Sequence, residues 1–280
     1  MTRDSDLFAA AGLICPVCAE PLARVDRTIG CPNGHRFDLA RAGYVSLLSG
    51  KGTAHRSDTA EMVAARVAVF DAGLYEPVVS AVADSVPDGP GTVVDAAAGT
   101  GAYLSAALRG DRVGVAVDLS KSCARVAARC HPRVVSVVAD LWSQIPVADG
   151  SAGAVLSVFA PRNAAETARI LAPGGRWVIV TPNPGHLAEI VEPMGMLRVG
   201  DAKARRLAAD LDGAFDIVST RRVTAVRELT AERLADVAGM GPAGFHRSRT
   251  ELESAAGDLA GDASVIATLD VTLTVARRAV

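Results

Sequence analysis

From Thr92 onward the chain alternates short apolar runs with amphipathic stretches. The segments TVVDA (92–96), RVGVAVD (112–118), RVVSVVAD (133–140), GAVLSVFAP (153–161) and RWVIVTP (176–182) read as strands. They are apolar on both faces, as strands of a parallel sheet covered by helices are. SKSCARVAARCH (120–131) and NAAETARILAPGG (163–175) read as helices between them, the second ending at Gly174-Gly175. A longer helical region covers 185–212, and two more β-like segments follow at 214–229 and 263–278. The last alternates apolar and polar positions, the pattern of an antiparallel strand near a sheet edge. Upstream, a helix starts with Asp58 as N-cap and Glu61 three residues on. It carries Met62, Ala65, Val69 and Phe70 on one face and stops at Gly73.

This pattern predicts an α/β protein with a Rossmann-like, seven-stranded, mostly parallel sheet and a small N-terminal module. Two breaks, SGKGTAHRSD (49–58) and PDGPG (87–91), divide it. Residues 1–50 form the N-terminal module, 51–90 a linker with helices, and 91–280 the sheet domain. Half the residues are hydrophobic and 4% aromatic, which suits an alanine-rich enzyme. No apolar run reaches the ~18 residues of a membrane span. The N-terminus lacks the basic region and long apolar core of a secretory signal. A cytoplasmic location is therefore expected, where thiols stay reduced. Net charge is −2, which excludes a wholly basic nucleic-acid binder. Between Glu20 and Ser57, however, Arg24, Arg27, Arg36, Arg41, Lys51 and Arg56 outnumber Glu20, Asp26 and Asp38. That excess is either an ordinary solvated surface or a face for RNA phosphates.

Three of the five cysteines lie in ICPVCAEPLARVDRTIGCPNGHRFD (14–38). The spacing is Cys15-x2-Cys18-x12-Cys31-x3-His35, two tight turns about a dozen residues apart, as a tetrahedral Zn²⁺ site requires. Asn33-Gly34 tolerates left-handed backbone, and Leu13, Leu22, Ile29 and Phe37 offer a small apolar cover. A redox CxxC would open a helix, but Glu20-Pro21 follows Cys18. Four protein ligands leave no position for a substrate, so the metal is structural. Cys123 and Cys130 read as small core residues.

The first strand runs into DAAAGTGAYL (95–104). Gly99 and Gly101 permit a sharp turn and close approach of a ligand at a helix start. A dinucleotide fingerprint would place a third glycine at Leu104, so NAD is disfavoured. Asp95 ending strand one, the glycine pair, and Asp118 ending strand two fit S-adenosylmethionine instead, with Asp118 on the ribose. Asp140 and Leu141 after strand three fall by the adenine. Ala97, Tyr103 and Leu104 complete the expected cofactor-binding set.

These residues resemble a known family, the bacterial 23S rRNA (guanine-N1-)-methyltransferases, including the macrolide (tylosin) resistance branch. The resemblance rests on CPVC…CPNGHRFDLARAGYVSLL, DTAEMVAARVAVFDAGLY, DAAAGTGAYL, VFAPRNAAETARILAPGG, VIVTP, HLAEIVEPMGMLRV and MGPAGFH, and runs nearly end to end. It implies a class I methyltransferase sheet, methylation of one guanine N1 in a hairpin of large-subunit rRNA, a zinc module that helps recognise that RNA, and a homodimer. Two positions depart from the pattern: Ala97 stands where such enzymes usually have glycine, and Phe245 where tryptophan is expected. In the FAPRN turn, Arg162 is placed to stabilise charge on guanine O6 and Asn163 to bond the base edge, with Phe159 or Phe245 stacking on it. The plain alternatives are a surface ion pair for Arg162 and a helix N-cap for Asn163. Competing functions are a small-molecule methyltransferase and a noncatalytic zinc RNA-binding protein with a decayed pocket.

Overall fold

The computed structural model describes residues 3–48, 56–198, 202–261 and 263–279. Residues 49–55 of the linker, with Lys51, and 199–201 of the expected helical region lie outside the described residues.

Helix α1 (Arg3–Ala10) leads into a small antiparallel sheet of β1 (Ala23–Val25), β2 (Thr28–Gly30) and β3 (Arg36–Asp38). Strand β4 (Tyr44–Ser46) and helices α2 (Ala60–Asp71) and α3 (Glu76–Ser85) come next. The repeating unit then runs β5 (Thr92–Ala96), α4 (Ala102–Ala107), β6 (Gly114–Asp118), α5 (Lys121–Ala127), β7 (Val134–Val138), β8 (Ala152–Val158), α6 (Ala164–Ile170) and β9 (Leu171–Pro182). Helices α7 (Ala188–Val191) and α8 (Ala202–Leu211), β10 (Phe215–Leu229), α9 (Ala231–Gly239), α10 (Arg249–Ala260) and β11 (Val265–Arg278) complete the chain.

The main sheet has the order β10-β11-β9-β8-β5-β6-β7-β4. Strands β4 to β9 in it are mutually parallel, while β11 runs antiparallel to both β9 and β10. Among the described residues it holds eight strands, one more than the seven expected. The addition is β4, from the N-terminal module, whose Val45 lies opposite Val137 of β7. The sheet separates two apolar cores because successive strand residues face opposite sides. Val93, Ala116, Leu156 and Val178 point into one core, shared with α3, α4, α9 and α10. Val94, Val115, Val155 and Trp177 point into the other. That second core also contains Leu13, Leu22 and Ile29 of the N-terminal module. The module therefore shares the apolar core of the sheet domain rather than closing over a separate one. Phe37, expected in the apolar cover, is half-buried against the same core.

Local differences from the sequence expectation have local causes. The N-cap of α2 is Thr59, whose Oγ1 accepts from the Met62 N–H at 3.3 Å. Asp58 is drawn away by an ion pair with Arg66. Helix α6 stops at Ile170 rather than at the glycine pair. Ala172 precedes Pro173, which disfavours helical backbone there, and Leu171 already pairs with Ala152 in the sheet. Helices α9 and α10 were not anticipated, although Ser248 and Glu251 form a capping box at the start of α10.

Candidate metal centre and cofactor cleft

The two knuckles close as their turns dictate. Ala19 N–H donates to Cys15 C=O, and Gly34 N–H to Cys31 C=O. Gly34 sits at φ +87°, a conformation that suits glycine. The ligand atoms of Cys15, Cys18, Cys31 and His35 all lie within 4.8 Å of one another. His35 Nδ1 is 3.6, 3.4 and 3.3 Å from the sulfurs of Cys15, Cys18 and Cys31, and the Cys18 and Cys31 sulfurs are 3.7 Å apart. A tetrahedron of Zn–S bonds near 2.3 Å has edges of about 3.8 Å, so the donor set and its spacing fit Zn²⁺. A backbone hydrogen bond at Glu20 pulls the Cys18 thiol down to about 6, while burial pushes that of Cys15 up. The four ligands expected from spacing are the four brought together.

The cofactor cleft forms at the ends of β5 and β6. Ala97 and Ala98 both donate to Val117 C=O, at 2.9 and 3.0 Å, which ties the turn to β6. Ala97 has φ +70°, and Gly99 and Gly101 have φ +55° and +81°. A Cβ on Gly101 would sit 2.6 Å from Cys130 Sγ, so that position also needs a glycine for space. Asp118 accepts from Gly99 N–H through Oδ2 and from Ser120 N–H through Oδ1, both at 2.8 Å. A carboxylate has further lone-pair sites for hydroxyl donors. Burial raises the Asp118 carboxyl despite those bonds.

Asp95 is 1% exposed, and among the described residues its Oδ2 has no partner, nor has the buried hydroxyl of Tyr103. Burial, and then Asp118, push the Asp95 carboxyl up to about 7. Buried polar groups are rarely left unpaired. An unsatisfied acid and phenol beside a glycine turn fit the ammonium and polar groups of S-adenosylmethionine. Leu104 is fully buried in the core beneath the turn. Asp140 Oδ1 accepts from Trp142 N–H, and Leu141 C=O accepts from Asn163 Nδ2 at 2.9 Å. The loop after β7 is thereby tied to the turn after β8.

That turn begins at Phe159, a residue with φ +54° that is 40% exposed. The ring packs on Tyr75 at 5.9 Å and His186 at 5.6 Å. Tyr75 in turn meets Phe70, and Phe70 meets Tyr103 edge-on at 5.3 Å, so an aromatic chain runs from the mouth to the glycine turn. Asp270 N–H donates to His186 Nδ1, which leaves the ring proton on Nε2, 3.3 Å from the Tyr75 hydroxyl. Arg162 Nε bonds Asp210 of α8 at 2.6 Å. Asn163 caps α6 through Glu166 N–H. Phe245 lies in a 3-10 turn (Pro242–Phe245), with the Arg56 guanidinium 4.7 Å above its ring.

Sequence reasoning missed Arg66, Tyr75 and His186. Burial works against the charge of Arg66, but Asp58, then Cys123 and Asp118, outweigh it and raise its pKa. Only its helical register, one turn from Met62 and Val69, pointed inward.

Comparison with known proteins agrees with this geometry. Residues 13–51 match the family model described as RlmA, N-terminal, a zinc ribbon, and residues 94–179 match the methyltransferase domain model. The 23S rRNA (guanine(748)-N(1))-methyltransferase of Streptomyces fradiae is 44% identical over 272 residues, spanning 95% of this chain and 96% of its own. A candidate 23S rRNA (guanine-N(1)-)-methyltransferase of Micromonospora griseorubida is 40% identical over 278 residues, spanning 91% and 94%. With the metal cluster and the methyltransferase sheet present in one fold, the chain belongs to the 23S rRNA (guanine-N1-)-methyltransferase family.

Proposed function

We propose that this chain methylates N1 of one guanine in a hairpin of 23S rRNA. The observation that carries the reading is the joining of the metal module to the cofactor sheet. Val45 pairs with Val137, and β7 leads directly to Asp140 at the adenine side of the cleft. For a small-molecule methyltransferase such a module would be an unexplained extra. RNA held by the basic stretch beside the zinc ligands would present a base to the mouth near Phe159. The reading places the activity in the cytoplasm, with ribosomal RNA; among the described residues no helix is long and apolar enough to cross a membrane. It also includes a homodimer, in keeping with exposed Ile217, Val218 and Val226 on edge strand β10.

When bound, S-adenosylmethionine supplies an electrophilic methyl group on a sulfonium. The chain's residues bind and orient. Asp118 would hold the ribose hydroxyls, Asp95 the ammonium, and Asp140 and Leu141 the adenine. Guanine N1 carries a proton at neutral pH and is a poor nucleophile until that proton passes to water, which leaves negative charge shared between N1 and O6. Arg162 stabilises that charge, and Asn163 bonds the base edge. Phe159 stacks on the extruded base, since a base in its stack is out of reach.

Incubation of the zinc-loaded protein with 23S rRNA and tritiated-methyl S-adenosylmethionine, followed by primer extension, tests this. N1 methylation blocks the pairing edge, so reverse transcriptase should stop one nucleotide before a single guanine. Incorporation without such a stop, or none at all, would overturn the reading.

A further inference from the structure

Gly99 and Gly101 are buried, and Arg66 lies over Gly99. A Cβ on Gly99 would lie 3.1 Å from Arg66 Nη1 and 3.5 Å from its Cδ. The guanidinium is held by three groups. Nη1 pairs with Asp58 Oδ2 at 2.5 Å and lies 3.8 Å from Cys123 Sγ; Nη2 donates to Met240 C=O at 2.8 Å. Asp58 sits just before Thr59, the N-cap of α2, and its own carbonyl accepts from Ser120 Oγ at the start of α5. A cation on the turn where the amino-acid end of the cofactor belongs has a direct use. S-adenosylmethionine carries a carboxylate there, and a guanidinium matches carboxylate geometry with two parallel N–H donors. The other charged groups at the turn, Asp95 and Asp118, are acids and repel a carboxylate.

We propose that Arg66 is the residue that binds the carboxylate of S-adenosylmethionine, and that Asp58 occupies this position in its absence. The inference rests on the cofactor-cleft reading above. Binding exchanges one carboxylate for another, and the Met240 bond keeps the guanidinium in place during the exchange. Asp58 thus competes with the cofactor, and the ion pair keeps a half-buried arginine from losing its acidic partner.

Calorimetric titration of the zinc-loaded parent, R66Q and D58N with two ligands tests the exchange. S-adenosylhomocysteine has the amino-acid carboxylate; 5′-methylthioadenosine keeps the nucleoside and the sulfur but lacks it. R66Q should lose about 10- to 100-fold in affinity for S-adenosylhomocysteine, the range of a lost charge-assisted bond, and keep its affinity for methylthioadenosine. D58N should bind S-adenosylhomocysteine more tightly than the parent, with methylthioadenosine unchanged. Equal losses for both ligands in R66Q, or no loss for either, would overturn the proposal. Should R66Q fail to fold, D58N decides alone: unchanged or weaker S-adenosylhomocysteine binding ends it. A parent that binds neither ligand overturns the cleft reading itself, whereas a parent that binds both with R66Q unaffected removes only Arg66.

Discussion

Arg162 and Asp210 form a 2.6 Å ion pair that links the turn after β8 to helix α8. The Arg162 side chain is 14% exposed, so this is not a loose surface contact. The pair orients the guanidinium from behind, as an acid behind a catalytic cation does, or it serves the fold alone. The two roles separate by mutation. R162A is expected to lose methylation by about 10²- to 10³-fold while S-adenosylhomocysteine affinity stays at the parent value. D210N removes the tether but keeps the cation, so it should retain far more activity than R162A. Parallel losses of thermal stability in both, with methylation of 23S rRNA intact in R162A, would return the pair to a structural role.

Cys31→Ser should strip the metal, since zinc needs the fourth ligand and the thiolate is the better one. Leu13, Leu22 and Ile29 share a core with Val94, Val115 and Trp177. Loss of zinc should therefore lower the melting temperature of the whole chain in one transition rather than melt a separate module. Rossmann-side binding of S-adenosylhomocysteine should survive below that temperature, and binding to 23S rRNA should not. Metal analysis that finds the parental zinc content in the variant would refute the ligand set.

Ala97 is held at φ +70°, where a Cβ costs roughly 1–2 kcal/mol. Glycine removes that strain but adds about 0.5–1 kcal/mol of backbone entropy to the unfolded chain. A97G is thus expected to gain about 1 kcal/mol or less, and to bind S-adenosylhomocysteine more tightly because a methyl group leaves the turn. A melt showing a lower midpoint than the parent would mean that Ala97 is not strained.

The sheet strands were legible because valine runs such as Val93-Val94 and Val134-Val135 are apolar on both faces, a pattern that helices of this length do not give. The metal ligands were legible because their chemistry is local: two short turns fix the spacing whatever surrounds them. Strand β4 was not, since three residues carry little periodicity and their partner Val137 lies far along the chain. Arg66 was hidden for a similar reason. An arginine in an amphipathic helix looks like any solvated one until Asp58, Gly99 and Met240 are brought around it. Pro173 lies just past the end of α6 at Ile170, and the glycine pair lies beyond it in β9.

Asp95 is the group whose titration links the cleft to stability. Its carboxyl titrates near 7 in the folded chain, against about 3.9 when unfolded. Between those values the folded state holds the extra proton, so stability falls as pH rises, by at most about 1.4 kcal/mol per pH unit. Asparagine cannot ionise and removes this slope. The D95N chain should therefore match the parent near pH 4, exceed it increasingly up to about pH 7 and keep a level advantage above that, as thermal melts across that range will read. The ligand acts on the same proton. An ammonium beside Oδ2 favours the ionised acid, so S-adenosylhomocysteine should displace close to one proton at pH 6 and little at pH 8. Calorimetry in two buffers of different protonation enthalpy measures that release. Heats that do not depend on the buffer at pH 6 would show that the ligand ammonium does not sit on Asp95.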